Sequence, residues 1–316
     1  MNLNKIILST IICFCMCNSL FAQYNEYYNT INEAHELVKG RKYAEALDLY
    51  EVAFKKVDFV KARHLYEAFA VAAKSGANKE KAEKYLLRAF CRCDSTDLLD
   101  HYMTNHSPEW QLKLNEYKVK NADCIVDKSQ SALRKELDGI KKIDLSTHYY
   151  AGEDLEYYES IRYGKILSNI IDTEKYNRGK ITANEFKTKD SLNFLHFVAF
   201  ISKNGYPDER EIGRRGEAEL SVTLAHADAD SLNIILKPAL DTALMRGKIQ
   251  PSHYGWVVDR RLVWLQHKEP YYYWMVLGVD TSKLTAEQIA EINRRRKTIG
   301  LPLFPETMLT YIDIKI

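Results

Sequence analysis

Residues 24–92 read YNEYYNTINEAHELVKGRKYAEALDLYEVAFKKVDFVKARHLYEAFAVAAKSGANKEKAEKYLLRAFCR, and this stretch decides the fold because it repeats itself. Ala34, Leu37, Ala46, Tyr50 and Ala53 recur as Ala70, Ala73, Ala82, Leu86 and Ala89, always 36 positions later. Alanines at helical spacing let two helices cross closely, and the larger residues fill the groove between them. Gly40 is expected to end the first helix and Lys42 to Leu47 to open the second. Gly76 repeats the stop, with Asn78 as the N-cap of the helix that follows.

In these positions the stretch resembles tetratricopeptide-like helical repeats. The resemblance covers two units, without the tryptophan and the proline of the usual motif. Two units are fewer than a free-standing stack needs, so a further pair, Thr96 to His106 and Pro108 to Lys120, is expected to cap it. Helix pairs of this kind expose a concave face, which implies a protein partner for residues 23–120.

Upstream, Lys5 and the apolar run from Ile6 to Phe21 have the pattern of a signal peptide, with Ala22 as the residue before cleavage. A lipid anchor on Cys17 is the weaker alternative, since Met16 is not the small residue such a site expects. No later apolar run is long enough to span a membrane. The protein is therefore expected to be periplasmic or secreted. The formal charge of +2 is nearly balanced, and the only basic run, Arg294 to Lys297, lies on a predicted helix as a solvated face. That argues against nucleic acid as a partner. Loss of the leader leaves Cys91, Cys93 and Cys124. Cys91 and Cys93 diverge on one helix and cannot easily bridge each other; either one of them pairs with Cys124 or all three are buried thiols. No spacing fits a zinc site, and neither a metal nor a cofactor is expected.

Downstream, Cys124 to Ile143 carries Ile125, Leu133, Leu137 and Ile140 at near-helical spacing, and a domain boundary is expected between Lys120 and Asp144. The chain thus divides into 1–22, 23–120 and a helical domain of 121–316. Asp190 to Ser202 and Arg214 to His226 read as helices. A further helix is expected to kink or break at Pro238 and to end at Gly247, and another runs from Pro251, through Asp259 and Arg260, to His267. Thr285 to Gln288 is a capping box, opening a helix that Gly300 ends. Tyr271 to Val279 and Met308 to Ile316 have strand character and are expected to pair. The fold class is mainly α, with a small C-terminal β element.

Asn193, Gly205-Tyr206-Pro207, His226-Ala227-Asp228, Asp259-Arg260 and the run Asn293 to Leu303 (NRRRKTIGLPL) carry a second likeness. In them the C-terminal region resembles an uncharacterised bacterial domain family of unknown function, whose members show an asparagine, GWP, a glycine pair, QHAD, a late DR and YGTQ. Tyr206 stands in place of the tryptophan, and Tyr272 to Met275 in place of YGTQ. The family has no activity to transfer.

Two readings follow for the polar residues. In the first, His226 is an acid/base, Asp228 or Asp259 orients it, and Arg260 clamps an anion; Tyr206, Arg214 and His253 would line the site. In the second, His226 and Asp228 or Asp230 are helix ends and caps, while Asp259 and Arg260 belong to a buried ion pair between helices. The second is favoured, because no nucleophile elbow, phosphate loop or dinucleotide fingerprint accompanies them. The expected function is an exported binding or scaffold protein, with a periplasmic enzyme as the alternative.

Overall fold

In the computed structural model the described residues are 23–76, 79–93, 107–125, 131–151, 183–226, 236–266, 268–274 and 280–305. Helices take up 78 % of them and none lies in a strand. No helix among them is long and apolar enough to cross a membrane.

The first unit is built of helix pairs. Helix α1 (23–39) turns back at Gly40, where Arg41 adopts the left-handed conformation (φ 59°), and α2 (Tyr43–Phe54) follows. Helix α3 (Ala62–Lys74) ends at Gly76, whose φ of 67° suits a residue without a Cβ, and α4 (Lys79–Arg92) comes next. Of the repeated positions, Ala34, Ala46, Tyr50, Ala53, Ala70, Ala82, Leu86 and Ala89 are buried, and Leu37 and Ala73 pack against the same cluster. Helix α5 (Pro108–Lys120) adds Leu114 and Tyr117 to that cluster, and Trp110 meets Phe69 edge to face at 5.1 Å. The expected helix from 96 to 106, the cap at Asn78 and the leader of residues 1–22 lie outside the described residues.

Cys124 does not open a long helix. It sits in a 3-10 turn (Ala122–Cys124) and forms a disulfide with Cys91, while Cys93 is a buried free thiol. The long helix, α6 (Ala132–Ala151), begins later, where the Ser131 hydroxyl accepts the Arg134 amide.

A second hydrophobic cluster runs from Leu137 to Leu301. It joins α6 to α7 (Ala183–Asn204), α8 (Glu209–His226), α9 (Lys237–Met245), α10 (Pro251–Arg260) and α11 (Ala286–Ile299). Helix α8 starts before Arg214 because Asp208 and Glu211 form a reciprocal cap: the Arg210 amide donates to Asp208, and the Asp208 amide to Glu211. The helix is then kinked at Gly213 (φ 73°, ψ 167°). The kink frees the Ile212 carbonyl, which accepts from Arg134 Nη1 at 3.2 Å; Arg134 also pairs with Glu219 and Asp138. A Cβ on Gly216 would collide with that guanidinium, so the glycine makes room for it. Pro238 lies in the first turn of α9, where its missing N–H costs nothing, and does not kink it. Gly247 (φ 64°) ends α9, and Pro251 opens α10. The capping box of Thr285 and Gln288 opens α11, and Gly300 closes it in the left-handed conformation.

The expected strand at 271–279 is not supported. Residues 271–274 are a bend with Tyr273 at φ 52°, which a strand cannot hold. Their backbone groups bond to side chains instead. Tyr272 and Trp274 amides donate to the two oxygens of Asp259 at 2.8 and 2.6 Å, and Arg296 donates to the carbonyls of Tyr272 and Tyr273. Residues 275–279 and the expected strand at 308–316 lie outside the described residues.

Candidate functional site at the junction of the two units

The two clusters meet where α1 and the start of α3 face α8, α10 and the end of α11. Lys61 precedes α3 and Glu217 lies on α8; both are buried, and Lys61 Nζ meets Glu217 Oε1 at 2.8 Å. Gln250 donates to the other Glu217 oxygen at 3.1 Å. Glu209 accepts the amide of Ala62, the first residue of α3, at 2.9 Å, so a side chain of one unit caps a helix of the other. Its second oxygen is enclosed and has no hydrogen-bond partner among the described residues, as are the hydroxyls of Tyr28 and Tyr206 and Nδ1 of His253.

Charge and burial set the protonation of this cluster. Burial raises the Glu209 pKa to about 7, against the pull of Lys61, and the Glu217 carboxylate adds to the rise. The same burial pushes His253 down to about 4 and His64 down to about 3. For Lys61, burial opposes the ammonium, but Glu217 and Glu209 outweigh it and raise its pKa. Beside it, Glu67 accepts from His35 at 3.1 Å and from Arg63 at 2.8 Å, and Tyr50 donates to it as well. Burial would raise its pKa, yet His35 and Arg63 hold it well below the usual carboxylate range.

Apolar contacts lock the junction around these charges. The Tyr24 ring lies over Gly247 and the Tyr28 side chain over Gly300, each so closely that a Cβ on the glycine would collide. Asn29 and Asn32 donate to the carbonyls of Lys297 and Gly300. Phe59 is flanked by Arg92 at 4.4 Å and Arg210 at 5.0 Å. A recess of about 20 Å³ remains, lined by Tyr28, Arg63, His64, Gln250, Ser252 and Leu301 among others.

Of the residues singled out from the sequence, Tyr206, Arg214 and His253 come to this junction. Tyr206 and His253 feel the Glu217 charge, and Arg214 is close enough to act on Glu209 and His253. Tyr206 is buried; Arg214 and His253 are half-buried. His226 is the last residue of α8, and Asp228 lies outside the described residues. Asp259 is fully buried at the 271–274 bend, where its two oxygens hold main-chain amides; Arg260 ends α10. No three His, Cys, Asp or Glu side chains among the described residues gather as metal ligands.

Lys61, Glu67, Glu209 and Glu217 were not legible as site residues, although Glu67 left a trace. The 36-residue repeat aligns it with Ile31, a charge in an apolar slot. Asp208 and Glu211 also had a readable signal, the D-x-x-E of a cap. No family model, no curated protein and no solved structure matches the chain.

Proposed function

We propose that this chain is an exported binding or scaffold protein, periplasmic or secreted after cleavage at Ala22, whose tetratricopeptide-like helix pairs carry a protein partner. The observation behind the reading is that positions 36 residues apart are buried alike in successive helix pairs, the construction of a stackable platform. The outer helices keep large apolar side chains in solvent: Val52 on α2 is 46 % exposed, and Leu112 and Val119 on α5 are 69 % and 83 % exposed. Leu112 and Val119 are two turns apart and share one face of α5. In the alternative, an enzyme using His226, Asp228, Asp259 and Arg260, Asp259 would have to leave the main-chain amides of the 271–274 bend.

The test is capture from an envelope extract with the full chain, beside Leu112→Glu and Val119→Glu. A specific partner that the wild type retains and the folded variants lose is the expected result. Identical capture by all three, or none by any, sinks the reading. Deleting residues 24–120 is not a substitute, since that removes Lys61, the ion-pair partner of Glu217.

A further inference from the structure

The recess at the junction is lined by His64, Tyr28, Arg63 and the first turn of α10. Tyr27 lies with its hydroxyl 2.5 Å from Nδ1 of His64. The Lys61 main chain also bonds the Tyr27 oxygen, so the hydroxyl proton is directed at Nδ1. A neutral imidazole that accepts at Nδ1 carries its proton on Nε2. His64 is neutral because burial holds its pKa down at about 3. Its Nε2–H has no hydrogen-bond partner among the described residues, and His64, only 4 % exposed, lines the recess.

Opposite stands the first turn of α10. Pro251 opens this ten-residue helix, and the amide of Ser252, which lines the recess, belongs to the turn that intrahelical bonding leaves free. The positive end of the helix dipole favours an anion there. Arg63, held at Nε by Glu67, is a third wall, and Tyr28 brings a buried hydroxyl without a partner. Of the buried carboxylates behind the wall, Glu67 is matched by Arg63 and His35, and Glu217 by Lys61 and Gln250.

We propose that this recess binds a carboxylate, that of a small organic acid or of a peptide chain terminus, with the His64 Nε2–H and the Ser252 amide as donors and Arg63 as the flanking charge. The size limits the guest. A recess of about 20 Å³ takes one water-sized group, so a single carboxylate oxygen enters and the rest of the ligand stays in solvent. Because the imidazole is neutral, the donor needs no proton from solvent and works across the pH range in which a carboxylate is ionised. The site is independent of the protein-partner reading and stands or falls without it.

The experiment is a titration of the full chain, labelled with ¹⁵N at histidine, with acetate, with the tripeptide Gly-Gly-Ala, and with the same peptide amidated at its C-terminus. The expected result is a saturable shift of the His64 imidazole N–H signal by acetate or the free peptide, and none by the amide. If only the peptide acts, the source is a chain terminus; if acetate acts equally, it is a small acid. His64→Gln should weaken binding at least tenfold, and Tyr27→Phe, which releases the tautomer, severalfold. If the substitutions prevent folding, the wild-type signal still decides: no saturable shift with either acid, or an equal shift with the amide, overturns the proposal.

Discussion

His64 and His253 are held neutral in the folded chain, their pKa values pushed down to about 3 and about 4, while Glu209 is held protonated up to about pH 7. Their effects on stability have opposite signs. Between about pH 5 and 6.5 the unfolded chain binds more protons at the two histidines, so stability rises with pH. Over the same window the folded chain binds more at Glu209, so that group makes stability fall with rising pH. The histidines outnumber the carboxyl by one proton, and we expect a net rise on the order of 1 kcal/mol per pH unit. Glu209→Gln removes the opposing member and should steepen the slope about twofold. Denaturant unfolding at pH 5, 5.75 and 6.5 checks both; a slope the substitution leaves unchanged would show that Glu209 is ionised in the folded chain. Of these groups only His253 was picked out in the sequence, because what sets their protonation is the packing of one unit on the other. Glu67, aligned with an isoleucine slot in the repeat, did betray a buried charge, as did Asp259, read from the sequence as buried in an ion pair.

Helices were legible wherever a stop residue and a cap bracket an apolar face. Gly76, Gly247, Gly300, Pro251 and the Thr285 box each stand where the element begins or ends. The misread elements are those whose backbone partners are side chains from afar. Residues 271–274 are rich in tyrosine and tryptophan, as strands are, but Asp259 and Arg296 take their amides and carbonyls. The start of α6 was misplaced for a related reason: Cys124 belongs to the disulfide with Cys91, which pins α4 to the turn after α5. Closing a loop of 33 residues restricts the unfolded chain by about 3–4 kcal/mol in the chain-entropy view. Replacing both cysteines by alanine should lower unfolding free energy by about 2–4 kcal/mol, and Cys93→Ala far less. Chemical denaturation of the two variants tests it; equal losses would mean that packing around the thiols outweighs the cross-link.

The whole molecule is held together by a contact that neither unit foretells alone. Lys61 sits in a loop between helix pairs and Glu217 on a helix 156 residues later, and their charges offset each other in the interior. Removing one partner by Glu217→Leu should cost about 3–5 kcal/mol, because it strands the ammonium. The double change Lys61→Met with Glu217→Leu should recover most of that loss. Thermodynamic cycles on the four proteins measure it. A double variant no better than the single one would assign the cost to the cap on Ala62 or to Gln250.

Asn29 and Asn32 on the first helix reach carbonyls 268 residues further along, at the close of the last described helix. A ribosome adding about 5–20 residues per second takes on the order of 15–50 s to supply that partner. In a chain delivered amino end first, α1 is the earliest of the described helices to emerge and the latest to be finished. For that interval Tyr24 and Tyr28 lack the glycines that receive them, and the helix offers its bare aromatic side to whatever escorts nascent chains.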